Sequence, residues 1–75
     1  MSKTRDENVL IAFGKHLQKI RESKEISLRA LEMLSEVDHS EIHRIEKGKR
    51  NPSLTILLAL AKALEVDVKS FFDFE

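Results

Sequence analysis

The segment Glu41-Ile42-His43-Arg44-Ile45-Glu46-Lys47-Gly48-Lys49-Arg50-Asn51-Pro52 constrains the fold more than any other part of the chain. Ile42 and Ile45 mark the buried side of a short helix. Gly48 supplies the left-handed residue that ends it, and Pro52-Ser53 restarts the chain after a basic loop. Upstream, Asp38 with Glu41 three residues on has the form of a capping box, with Val37 placed to staple onto Ile42. The preceding helix starts at a Ser27 cap, carries Leu28, Leu31 and Leu34, and ends near Ser35. About three residues are then left to connect the two helices. So short a link forces a sharp crossing and excludes the antiparallel hairpin of a bundle.

The remaining chain fits around this pair as helices. Phe13, Leu17 and Ile20, with Val9 one turn earlier, predict an amphipathic helix over about residues 7 to 24. Leu54, Leu57, Leu58, Ala61 and Leu64 predict another, and Asp67 caps a short fifth helix through Val68, Phe71 and Phe72. These apolar stripes are read as core. Strand-like alternation is missing throughout, so the expected class is all-α, a compact five-helix fold in a single domain over residues 1–75, with a flexible start over about 1–6.

Seventy-five residues bury only about 60% of the unfolded surface, which leaves one small core and no deep catalytic cleft. With no cysteine, disulfides are excluded, and two glycines cannot make a phosphate-binding glycine loop. His39 and His43 have the i, i+4 spacing of a helical metal pair, with Glu36 or Glu46 nearby, but the HExxH pattern is absent. Neither a catalytic residue, a metal nor a cofactor is expected. No apolar run approaches the ~20 residues of a membrane span, and the polar start lacks a signal-peptide core, so the expectation is a cytoplasmic protein without membrane contact.

Charge is balanced overall at thirteen basic and thirteen acidic residues, which by itself argues against a nucleic-acid partner. Distribution matters more than the sum. Residues 1 to 50 hold eleven Lys and Arg against nine Asp and Glu, whereas 51 to 75 hold two against four. Lys47, Lys49 and Arg50 fall within four positions.

Residues 13 to 72 resemble the Cro-like phage-repressor, or XRE, family of helix-turn-helix proteins. The resemblance rests on Ile20-Arg21-Glu22, Ile26-Ser27, Leu31, Val37, the run from Ile42 through Leu54, and Leu60-Ala61-Lys62-Ala63-Leu64. It implies a lambda-repressor-like fold with the helix-turn-helix at about 27–48 and further helices at about 53–72. It also implies a transcriptional regulator that binds double-stranded DNA. No small-molecule effector site is evident. The rival class is a protein-interaction module, such as an antitoxin-like partner, that keeps the fold.

A recognition helix needs its first turn and one outward face to reach base edges in the major groove. With Ile42 and Ile45 turned inward, Arg44 is the first candidate for base readout, because a guanidinium matches the O6 and N7 edge of guanine. The family adds His39 and Ser40 at the helix start, then His43. Lys47, Lys49, Arg50 and Asn51, around the Gly48 turn, suit the phosphate backbone, as does Ser27 at the start of the preceding helix. The position after Ser27, usually a phosphate-binding glutamine in the family, is Leu28 here, so that contact is either lost or moved to Arg29. Glu32 and Glu36 stand where the family has alanine and glycine, adding negative charge beside the expected site.

Two further expectations follow. The family pairs an arginine of its first helix with a glutamate at the end of its third, and Arg21 and Glu46 match both positions. A domain this small covers few base pairs, so a homodimer on a palindromic operator is expected, with half-sites about 34 to 36 Å apart. Phe72 and Phe74 exceed what the core needs and are its candidate interface, the competing reading being that both cap the core against the first helix.

Overall fold

Ser and Asp caps divide the chain into its elements. The computed structural model describes residues 6–74, so the expected flexible start lies, apart from Asp6, outside the described residues. Asp6 accepts from the Val9 amide at 3.1 Å and opens α1, Glu7–Ser23. Ser27 caps α2, Leu28–Ser35, by accepting from the Ala30 amide. Asp38 caps α3, His39–Glu46, and Ser53 caps α4, Leu54–Leu64. Each oxygen satisfies one of the donors that a helix start leaves unpaired. The fifth element, Val68–Phe72, is a 3-10 helix rather than the expected α-helix. Five residues under an Asp67 cap leave little room for an i to i+4 ladder, and the tighter winding suits so short a piece.

The ends of the helices share one device. Gly48 has φ +73°, and its amide and that of Lys49 bond back to Ile45 and Arg44, closing α3 in a Schellman motif. After the other three helices a glutamate takes the left-handed position: Glu25 at φ 58°, Glu36 at 63° and Glu65 at 59°. Glu36 therefore does the backbone work of the glycine that the resembling family carries at this point.

α1 packs on α3, α2 packs on α3 and α4, and the 3-10 helix closes the core against α4 and α1. Leu17, Leu31, Ile42, Ile45, Leu60, Leu64 and Phe71 are fully buried, and Val37 packs against them. At eight residues, α2 and α3 are shorter than the ~12–15 at which an isolated helix becomes even marginal. What holds α3 is Ile42 and Ile45, each worth about 1.5–3 kcal/mol when fully buried.

The expected stripes are shifted at their edges. Val9, Leu34, Leu54 and Leu58 are exposed, at 50, 60, 69 and 46%. In α1 the buried line runs through Leu10, Phe13, Gly14, Leu17 and Arg21, which turns Val9 outward. In α4 it runs through Leu57, Leu60, Ala61 and Leu64, leaving Leu54 and Leu58 on its shoulder. α2 has Leu31 as its buried residue, so Leu34 and Met33 face outward. Among the described residues, no helix is long and apolar enough to cross a membrane.

Candidate nucleic-acid interface

α3 is fastened to α1 from beneath. Arg21 Nε donates to Glu46 Oε2 at 2.7 Å and Nη2 to Oε1 at 3.1 Å, with both side chains buried. A third bond runs from Arg21 Nη1 to the Ile26 carbonyl at 2.8 Å, so one guanidinium holds both the end of α3 and the entry to α2. The bond to Glu46 raises the Arg21 pKa against burial, which lowers it. Two glycines allow the close approach. A Cβ at Gly14 would collide with the Ile45 and Glu46 carbonyls, and one at Gly48 would lie 2.7 Å from Ile11 Cγ1.

With that side buried, α3 turns His43, Arg44 and Lys47 outward, all exposed. His39 and Ser40 occupy its first two positions, and both are engaged. His39 Nδ1 lies 3.1 Å from Glu32 Oε1 and 3.4 Å from Asp38 Oδ1. The Ser40 amide and hydroxyl both donate to Asp38 Oδ1, at 3.0 and 3.1 Å. Those two bonds, the backbone one first, hold the Asp38 carboxyl below its ordinary 3.8.

The capping box is half formed. Asp38 caps as expected, through the Ser40 amide, but Glu41 does not turn back toward Asp38. Its carboxylate accepts from Arg50 Nε at 2.7 Å instead. The Gly48 turn brings the loop back along α3, and a hydrogen bond between full charges is stronger than one to a neutral amide. Arg50, expected at the phosphates, is thus folded onto α3, while Lys47, Lys49 and Asn51 are exposed around the turn. Ser27 and Arg29 are exposed at the start of α2, where the Ser27 oxygen accepts from Ala30.

Neither the Glu32–His39 contact nor the Glu41–Arg50 pair was anticipated from the sequence. The first spans seven residues across the turn and the second nine, distances at which helical periodicity carries no signal. A third such contact joins the 3-10 helix to α1, where His16 Nε2 donates to the Ser70 carbonyl at 2.7 Å.

The C-terminal aromatics divide. Both rings lie near Phe13, Phe72 with centroids 5.6 Å apart and Phe74 edge-on at 6.2 Å. Phe74 also lies against His16, at 5.8 Å, and packs on the core, whereas Phe72 stays 56% exposed. Among the described residues, Glu32, Asp38 and His39 bring one metal-ligand atom each within 4.8 Å of one another. These atoms already bond one another and Ser40, and His43 is not among them.

The family model described as Helix-turn-helix matches residues 17–71. An uncharacterized HTH-type transcriptional regulator of Haemophilus influenzae is 43% identical over 60 residues, covering 80% of this chain and 61% of its own length. The HTH-type transcriptional regulator PuuR of Escherichia coli is 36% identical over 62 residues, covering 83% of this chain and 34% of its own. The chain therefore spans about a third to three-fifths of the length of these curated relatives. Among solved structures, the restriction-modification controller protein C.AhdI from Aeromonas hydrophila superposes with a TM-score of 0.82 at 38% identity, over 84% of this chain and 96% of that one.

Proposed function

The chain belongs to the helix-turn-helix family of XRE-type regulators, and on that premise we propose that it regulates transcription by binding double-stranded DNA in a sequence-specific manner. The observation that carries this reading is α3 itself. It is locked from below by a buried ion pair and turns His43, Arg44 and Lys47 outward beside a basic loop. Such a helix has the dimensions and polarity to enter a major groove.

In this reading Arg44 and His43 read bases along the groove, and His39 and Ser40 read them at the leading turn. Lys47, Lys49 and Asn51 grip one strand, and Ser27 and Arg29 the other, with Arg50 available once it leaves Glu41. Two copies act together on a palindromic site, because one α3 covers too few base pairs for useful specificity. Phe72, exposed at 56%, is the dimer contact, and Phe74 supports it from the core. The protein then works in the cytoplasm without a cofactor or catalytic group, as a phage-type repressor, a restriction-modification controller or a mobile-element regulator.

Selection from a random duplex DNA pool tests the reading. The expected result is enrichment of a two-fold symmetric motif by the parent chain and loss of preference at one position per half-site for Arg44→Ala. No enrichment by the parent chain overturns it, and would favour the protein-interaction module, for which exposed Met33 and Leu34 offer an apolar surface.

A further inference from the structure

The first two residues of α3 are held by carboxylates, and the manner of holding decides what each has left to offer. An ionised carboxylate only accepts hydrogen bonds. His39 turns Nδ1 to Glu32 Oε1 at 3.1 Å, with Asp38 Oδ1 behind it at 3.4 Å. Whenever the ring is neutral its single hydrogen therefore belongs on Nδ1, and Nε2 is left as a bare lone pair. Ser40 is constrained in the same sense. Its hydroxyl hydrogen is committed to Asp38 Oδ1 at 3.1 Å, so the remaining capacity of its oxygen is as an acceptor. The depressed pKa of Asp38 agrees with a carboxylate that stays ionised at neutral pH.

We infer, resting on the reading of α3 as the groove-binding helix, that its leading turn selects bases bearing an exocyclic amino group, adenine or cytosine, and that Glu32 imposes this choice by fixing the tautomer of His39. In the major groove the donors are adenine N6 and cytosine N4, whereas guanine O6 and N7, thymine O4 and adenine N7 are acceptors, so adenine offers its donor beside an acceptor. An acceptor on the protein complements the one amino hydrogen that base pairing leaves free and opposes the lone pairs of guanine or thymine. It is equally unsuited to phosphate oxygens, which accept and do not donate. Glu32 lies on α2 and acts through another side chain, so it is a positioning residue. His39 and Ser40 are the groups that meet the base.

Two readouts test this, one of which needs no DNA. The ring nitrogen NMR spectrum of the parent chain at pH 8, assigned with His39→Ala, is expected to show His39 protonated on Nδ1. In Glu32→Ala the Nε2-protonated form should gain population, with Asp38 Oδ1 at 3.4 Å left as the weaker partner of Nδ1. Selection from a random duplex pool is then run on the parent, Glu32→Ala and His39→Ala, the last marking which base position His39 faces. The parent is expected to prefer adenine or cytosine at that position, and Glu32→Ala to weaken this preference roughly fivefold or more while the rest of the motif is retained. An Nε2-protonated ring in the parent overturns the inference, as does a base preference that Glu32→Ala leaves unchanged; either leaves DNA binding intact. A parent chain that enriches no motif overturns both the inference and the DNA reading beneath it.

Discussion

Arg21 and Glu46 form a buried two-pronged ion pair, with Nε to Oε2 at 2.7 Å and Nη2 to Oε1 at 3.1 Å, that fixes the last turn of α3 to α1. Removing one partner leaves the other buried and uncompensated, a change that costs about 3–5 kcal/mol. For a domain whose total stability is on the order of 5–15 kcal/mol, that is a large share. Glu46→Ala is expected to lower the urea midpoint strongly while leaving the base preference of whatever remains folded unaltered. An unchanged midpoint would show that the pair does not hold α3.

Glu36 should be improvable. Its φ of 63° puts a residue with a Cβ in the left-handed region, at a cost of about 1–2 kcal/mol, and glycine escapes that cost. Glycine's greater freedom in the unfolded chain offsets part of the gain. Glu36→Gly is expected to raise stability by about 1 kcal/mol, which for a domain of this size moves the Tm by roughly 4–8 °C. A lower Tm in calorimetry would contradict the backbone argument.

The Glu41–Arg50 pair sets a reserve of positive charge aside. Arg50 is 56% exposed and Glu41 15%; with the guanidinium in solvent the pair contributes about 1 kcal/mol to stability, the upper end for an exposed pair. Glu41→Gln is expected to leave the fold nearly unchanged and to release Arg50 toward phosphate. DNA affinity should rise, and the salt slope should steepen by about one unit per protomer. A variant that binds no better, measured by fluorescence anisotropy, would mean that Arg50 has no phosphate within reach.

Asp38 makes the start of α3 sensitive to acid. The Ser40 amide and hydroxyl depress its folded pKa below the ordinary 3.8, so its contribution is present above that value and is lost as pH falls through the folded one. Asp38→Ala should therefore be less stable than the parent at pH 7, with the difference shrinking as pH falls below 3.8. A constant difference across that range, followed by urea denaturation, would place the effect elsewhere.

Much of this was legible from the sequence because it is local. Caps at Ser27, Asp38 and Asp67, the stop at Gly48, the restart at Pro52-Ser53 and the three-residue turn depend on neighbours in the chain, and spacing rules read neighbours well. The Arg21–Glu46 pair spans 25 residues and came from family resemblance, since periodicity alone would place an arginine on the polar face. The charges beside α3 were not legible. Glu32, read only as unwelcome negative charge, orients His39. Glu41, expected in a capping box, holds Arg50. Both outcomes depend on how the turn and the loop fold back on α3, and no pattern along the chain encodes that. Val9, Leu34, Leu54 and Leu58 were placed inside because a stripe fixes a face to within about one residue, and the packed partners decide its edges.

Whether α3 and its flanking basic residues form a DNA-binding surface is read most directly from the salt dependence of binding to the selected duplex. With Lys47, Lys49 and the start of α2 meeting phosphates in each of two protomers, roughly six contacts form. Affinity should then fall about a thousandfold between 50 and 200 mM salt. An affinity that stays flat across that range, or the absence of measurable binding at its low end, would mean that α3 and these residues do not bind DNA.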